Sequence, residues 1–145
     1  MPTKIGSFDL IQAIGEGPGG PVHHAVDTVL DRMVALKHVK VLDSSAEDPG
    51  LADMTEQVAQ LSRIRSHCIG HVYSCSKPHE STVYLAREYI AGIDLATLLR
   101  GNPEPELLLA IAVLWGATTG LVGLHQENVP HGNLKFTNVF LRQSG

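Results

Sequence analysis

The chain has 145 residues, 43% of them hydrophobic and 18% charged, with a net charge of −4. That length suits one domain of modest size, the composition excludes intrinsic disorder, and the acidic balance speaks against nucleic acid as a partner, since a binder of that kind shows a basic face. Two cysteines, Cys68 and Cys75, do not make a secreted disulfide framework, so a reduced, cytoplasmic setting is expected. The opening Met1-Pro2-Thr3-Lys4-Ile5-Gly6 has no apolar signal segment behind its lysine.

Taken in order, Phe8 to Ile14 predicts a strand with Phe8, Leu10 and Ile14 on its buried side. Gly15 to Gly20 predicts a tight glycine turn. Val22 to Val26 and Met33 to Val41 predict two more strands, joined by a polar connection from Asp27 to Arg32. Asp43 to Pro49 predicts a loop. From Leu51 to Arg65, Met54, Val58, Leu61 and Ile64 recur at helical spacing and draw one apolar stripe. Ile69 to Ser74 and Thr82 to Tyr89 predict strands with a turn through Lys77-Pro78, and Ile93 to Arg100 a short helix ended by Gly101-Asn102-Pro103. Glu104 and Glu106 then precede a long apolar helix, where acids suit the positive end of its dipole. It runs to about His125, and Asn128-Val129-Pro130 breaks it.

Leu107 to Leu124 contains no charged residue. It is just long enough to be a transmembrane segment, and Gly116 and Gly120 give the small-xxx-small spacing that lets helices approach closely. The other reading is a buried helix of a folded core. A second constellation, His67, Cys68, His71, Cys75 and His79 within thirteen positions, has the residue types of a zinc site but matches no common zinc spacing.

Three motifs carry chemistry. Gly15-Glu16-Gly17-Pro18-Gly19-Gly20-Pro21-Val22 fits G-x-G-x-x-G-x-V between two strands, where a dinucleotide fold would need a helix after the third glycine. A plain glycine hairpin is the alternative, since such a motif alone is weak. Val34-Ala35-Leu36-Lys37 places a lysine in an apolar strand, which is costly without an anionic partner unless the head reaches solvent. Phosphate would be such a partner. The third stretch is His131-Gly132-Asn133-Leu134-Lys135-Phe136-Thr137-Asn138.

With these three in order, with Glu88-Tyr89-Ile90-Ala91-Gly92 as a hinge and Leu124-His125 before the last motif, nearly the whole chain resembles the protein kinase family, in the serine/threonine style. The resemblance implies an α+β fold: a kinase-like N-lobe of a five-stranded antiparallel sheet plus one helix over about 5–87, a hinge at 88–92, and the first helices of the C-lobe over 93–145. It makes the charge-free helix the central helix of that second lobe rather than a membrane span. The implied cofactor-binding residues are Gly15, Gly17, Gly20, Val22, Ala35, Lys37, Glu88, Ile90 and Asp94.

The departures from the pattern are as informative. Asn133 stands where the family's base does, and an amide accepts no proton at neutral pH. Gly132 replaces the arginine that pairs with a phosphorylated activation loop. Gln57 occupies the position of the helix glutamate that pairs with Lys37, unless a one-residue shift restores Glu56. Arg87 lies at the back of the adenine pocket, a position usually uncharged; either it points there or a bulge turns it outward. Pro18 removes a backbone N–H from the phosphate loop. Lys135 and the metal-binding Asn138 are retained, while the Asp-Phe-Gly motif would follow Gly145.

ATP is therefore expected as a weakly gripped ligand, with Mg²⁺ short of its second ligand. A catalytically impaired, regulatory domain with a protein partner is the leading expectation. A fragment of a working kinase and a membrane-associated protein are the alternatives. Self-association through the apolar helix is expected if nothing else covers it.

Overall fold

The computed structural model describes residues 3–17, 20–40, 49–76 and 82–143, the side chains of 40, 49–54 and 82 excepted. The expected loop from Asp43, the turn at Lys77-Pro78, and Pro18, Gly19 and His79 lie outside the described residues, although Pro49 opens a helix. The chain divides into two compact units, the first made of Met1–Arg63 and His71–Tyr89, the second of Ile64–Gly70 and Ile90–Gly145.

The first unit is an antiparallel sheet. Its strands are β1 (Lys4–Ile5), β2 (Phe8–Gly17), β3 (Gly20–Asp27), β4 (Arg32–Lys40), β5 (Val72–Cys75) and β6 (Thr82–Glu88), in the order β1-β2-β3-β4-β6-β5. These are the five expected strands plus β1, whose two residues are too short to leave a period. The glycine turn is a hairpin, with Gly17 opposite Gly20. Helix α1 (Pro49–Leu61) packs along β5. Proline suits its first position, where no intrahelical N–H is needed.

Strand alternation sorts the sheet into two faces. One face holds the apolar core: Ala25, Val34 and Leu36 are fully buried, Ala86 nearly so, and Phe8, Leu10, Tyr73 and Tyr84 pack around them. Ile14 was expected inward and is 43% exposed. The register shift between Leu10 and Gln12 is the reason, because an extra residue sends the following side chains to the opposite face. The connection from Asp27 to Arg32 is held by its own aspartate. The buried Asp27 accepts from the N–H groups of Val29 at 3.2 Å and Leu30 at 3.3 Å and pairs with Arg32 at 3.5 Å. Arg32 in turn lies 3.6 Å from the centre of the Tyr73 ring.

The second unit contains β7 (Gly92–Asp94), α2 (Leu95–Gly101), α3 (Leu107–Gln126), a 3-10 turn (Phe136–Asn138) and β8 (Phe140–Arg142). Strands β7 and β8 pair antiparallel, and the Leu95 N–H to the Val139 carbonyl (2.8 Å) and the Gln143 N–H to the Ala91 carbonyl (2.9 Å) extend the ribbon at both ends. Helix α3 ends as its sequence directs. Asn128 takes a left-handed conformation (φ 58°), and the Val129 N–H returns to the Leu124 carbonyl at 3.0 Å.

The α1 stripe is shorter than expected. The helix stops at Leu61, and Ile64, 4% exposed, belongs to the second unit. There 64–70 lies along α3. A Cβ at Gly120 would stand 3.0 Å from the Cys68 carbonyl oxygen, and one at Gly123 would stand 4.0 Å from Ile64 Cγ2. The small-residue spacing on α3 thus admits a neighbouring chain segment of the same unit.

Candidate functional site

In the first unit the register gathers the expected residues on the face opposite the core. Val22 pairs with Lys37, His24 with Ala35, and Gly15 with Val22. Across β4, Lys37 pairs with Leu85 and Ala35 with Arg87. Val22, Ala35, Lys37 and Arg87 therefore share one face with Gly15 and Gly17, while Val34 and Leu36 point into the core. Val22 and Ala35 are buried and form an apolar floor. The half-buried Lys37 runs toward the glycine hairpin: a Cβ at Gly17 would stand 3.6 Å from its Cε and 3.8 Å from its Nζ.

The glycines have separate reasons. Gly20 sits at φ 130°, where a side chain is strained, and a Cβ there would stand 3.3 Å from the His38 carbonyl oxygen. At Gly15 a Cβ would meet nothing within 4 Å. Packing does not require a glycine at Gly15, and its bareness leaves room for close approach by a ligand.

Gln57 is exposed on α1, and among the described residues Lys37 has no ion pair with Glu56 or any other acid. Glu56 accepts instead from Gln60 Nε2 at 3.4 Å. Arg87 follows β6 without a register shift against β4, so the bulge that would turn it outward is not there; its side chain is exposed on the Lys37 face. Partial desolvation lowers its pKa from the ordinary arginine value although the side chain is exposed, and a guanidinium stays charged at neutral pH regardless. Glu88 turns to the other face, where its carboxylate accepts from the His71 N–H at 3.1 Å, so a hinge contact at this residue would have to come from its backbone.

The structure also shows two histidine clusters that no motif marked. The His24 ring stacks on Tyr89 with centroids 3.8 Å apart. On the core side His23 lies 4.9 Å from His38, and His38 meets the Tyr84 ring edge-on at 4.8 Å. Strand alternation from Val22 and Lys37 puts His24 on their face and His23 and His38 on the other.

In the second unit Asp94 caps α2. Its Oδ1 accepts from the Thr97 N–H at 2.9 Å and its Oδ2 from Thr97 Oγ1 at 2.6 Å. The Thr97 hydroxyl and then its N–H hold the Asp94 pKa below the usual carboxylate value. The expected cofactor-binding position thus has a structural task already. Ile90 is half-buried. The segment His131 to Asn138 is tied to itself: the Asn133 N–H donates to the His131 carbonyl at 2.9 Å, and Asn138 Nδ2 donates to the Asn133 carbonyl at 2.8 Å. The side chains of Asn133 and Lys135 are exposed. Gly132 has φ 69°, a left-handed conformation that an arginine would adopt only under strain.

Residues 8–145 match the family described as the protein kinase domain. The chain belongs to the protein kinase family. Among its relatives, the kinase and exchange factor for Rac A of Dictyostelium discoideum is 33% identical over 88% of this chain and 9% of its own length. A probable serine/threonine-protein kinase of Streptomyces coelicolor is 30% identical over 99% of the chain and 22% of its own length. A further Dictyostelium serine/threonine-protein kinase, fray1, is 29% identical over 99% of the chain and 25% of its own length. The chain spans a quarter or less of these relatives.

The first unit of this kinase-family chain thus holds the N-lobe motifs, and the second holds the start of the C-lobe through its catalytic segment. Helix α3 lies within the kinase match, although its 20 residues and mean hydropathy of 2.1 also make it long and apolar enough to cross a membrane. The nucleotide of the family fits the first unit: glycine hairpin, apolar floor and lysine share one face. Of the family's Mg²⁺-holding positions, this chain contains Asn138. Asn138 offers one neutral amide oxygen, and among the described residues no group of three His, Cys, Asp or Glu side chains could hold a metal, the His67–Cys75 stretch included. A hard cation of this size is held through carboxylates.

Proposed function

We propose that this chain is a nucleotide-holding, kinase-like domain that does not itself transfer phosphate and that acts on a protein partner in the cytoplasm as a regulatory or scaffolding element. The observation that carries this reading is Asn133. It stands at the position of the family's base, in a segment whose backbone is tied by its own hydrogen bonds. Loss of a general base costs on the order of 10²–10⁴ in rate. Gly132 and Gln57 add two further losses, of the activation-loop contact and of the charge opposite Lys37.

The test is a phosphoryl-transfer assay with the purified chain, Mg²⁺–ATP and generic protein substrates. The expected result is no transfer above the protein-free control. Transfer well above that control, abolished by Lys37→Ala, overturns the reading.

A second reading rests on the retention of Lys37, Lys135 and Asn138: a portion of an active kinase that transfers phosphate from ATP to protein serine or threonine. Phosphoryl transfer depends largely on positioning and electrostatics, so Asn133 could orient a hydroxyl without taking its proton. An Asp-Phe-Gly and an Ala-Pro-Glu in the reading frame after Gly145 would favour this second reading.

A further inference from the structure

The nucleotide-facing side of the sheet has a direction. The row of Val22, Lys37 and Leu85 lies nearest the glycine hairpin. The next row, two residues along each strand, is His24, Ala35 and Arg87. On the nucleotide reading above, the phosphates belong at the first row. The base then falls on the second, where Ala35 is the floor.

Neighbouring strands lie about 4.8 Å apart, so His24 and Arg87 flank Ala35 on either side. The His24 ring is stacked on Tyr89 with the planes 12° apart, and its Nε2 is closed off from solvent. Arg87 differs in both respects. Its side chain is exposed, and among the described residues nothing accepts a hydrogen bond or an ion pair from its guanidinium. Glu88, next to it, accepts from the His71 N–H on the opposite face, and Glu56 accepts from Gln60. Partial burial lowers the Arg87 pKa, so an acceptor placed against it is worth more than in open water.

We propose that Arg87 reads the base and makes the site selective for a 6-oxopurine nucleotide, of the guanine or hypoxanthine type, over an adenine nucleotide. This rests on the nucleotide reading and names the base that the site takes. A guanidinium has five N–H donors and no acceptor. The O6 and N7 of a 6-oxopurine are two acceptors side by side, and they match its planar fork. Adenine carries an amino donor in place of O6, so a donor would face a donor and only N7 would remain to accept. A site that donates hydrogen bonds discriminates against an analogue that cannot accept them, because its polar groups are then left unpaired.

The test measures binding to the 145-residue chain by calorimetry, at one Mg²⁺ and salt concentration. The ligands are GTP, ITP, ATP and the triphosphate of 2,6-diaminopurine riboside. They share ribose and phosphates and differ only at purine positions 2 and 6. GTP and ITP are expected to bind about tenfold more tightly than the two 6-amino nucleotides, whatever stands at position 2. Arg87→Met, similar in length but without donors, is expected to erase the difference by weakening GTP and ITP, with ATP held or tightened. Arg87→Lys should keep only part of the preference, since a point charge lacks the fork. Thermal denaturation without nucleotide checks that each variant folds, and the ranking on the parent chain needs no variant.

Equal binding of ATP, GTP and ITP by the parent chain overturns the base selection and leaves the nucleotide reading in place. So does a ranking that follows position 2. An equal loss of all four ligands in Arg87→Met also overturns it, by assigning the arginine to the phosphates. No binding of any of the four overturns both readings.

Discussion

At the scale of single residues, the histidines on the core side of the sheet set a pH dependence. Burial first, and the nearby His23 second, lower the pKa of His38 from 6.5. The groups facing it are His23 on β3 and Tyr84 on β6. Folding therefore favours the neutral ring. The unfolded chain binds the proton more readily, so stability is complete above about pH 6.5 and is lost as pH falls from there through the folded-state value. Urea unfolding between pH 5 and 8 is expected to show stability dropping on the acid side, with the drop reduced in His38→Phe. An unchanged slope in that variant would assign the drop to other groups. Asp94 makes a different point at this scale. Its capping of α2 was not legible, because that role depends on the β7 conformation just before it.

At the scale of elements, the strands were legible because alternation along β2, β3, β4 and β6 follows burial. The misplacement of Ile14 came from the bulge before it, which depends on partner-strand register and leaves no period in the sequence. The glycines of α3 show a limit of a different kind. Their spacing was visible; that a loop segment, 64–70, fills the groove was not, since only packing decides it. They should not be equivalent. A Cβ at Gly120 meets a backbone oxygen at 3.0 Å, whereas one at Gly116 meets only Cys68 Sγ at 4.0 Å. Gly120→Leu is expected to cost about 1–3 kcal/mol by overpacking. Gly116→Ala is expected to be neutral or to stabilise by up to about 1 kcal/mol through helix propensity. Chemical denaturation of the two variants checks both, and equal effects would refute this account of the groove.

At the scale of the whole molecule, the exposed side of α3 sets an expectation for behaviour in solution. Leu107, Leu108, Ile111, Leu114 (67% exposed) and Trp115 (76% exposed) present an apolar surface, and surfaces of this kind are interaction sites or aggregation liabilities. Light scattering of the purified chain is expected to give a mass above 15.6 kDa that rises with concentration. Leu114→Glu combined with Trp115→Gln should return it toward that value. A parent chain that stays at 15.6 kDa across the range removes the expectation.

The chain passes from the first unit to the second at residues 63 and 64, returns at 70 and 71, and leaves again at 89 and 90. A gene shortened to stop at Tyr89 would encode every strand of the six-stranded sheet but would strand 64–70 without α3. Ile64 and Ile69 would lose the helix they pack against. The two halves of this protein are sewn rather than joined, and anyone wishing to study the glycine hairpin and Lys37 in isolation must also redesign the short stitch that belongs to the other half.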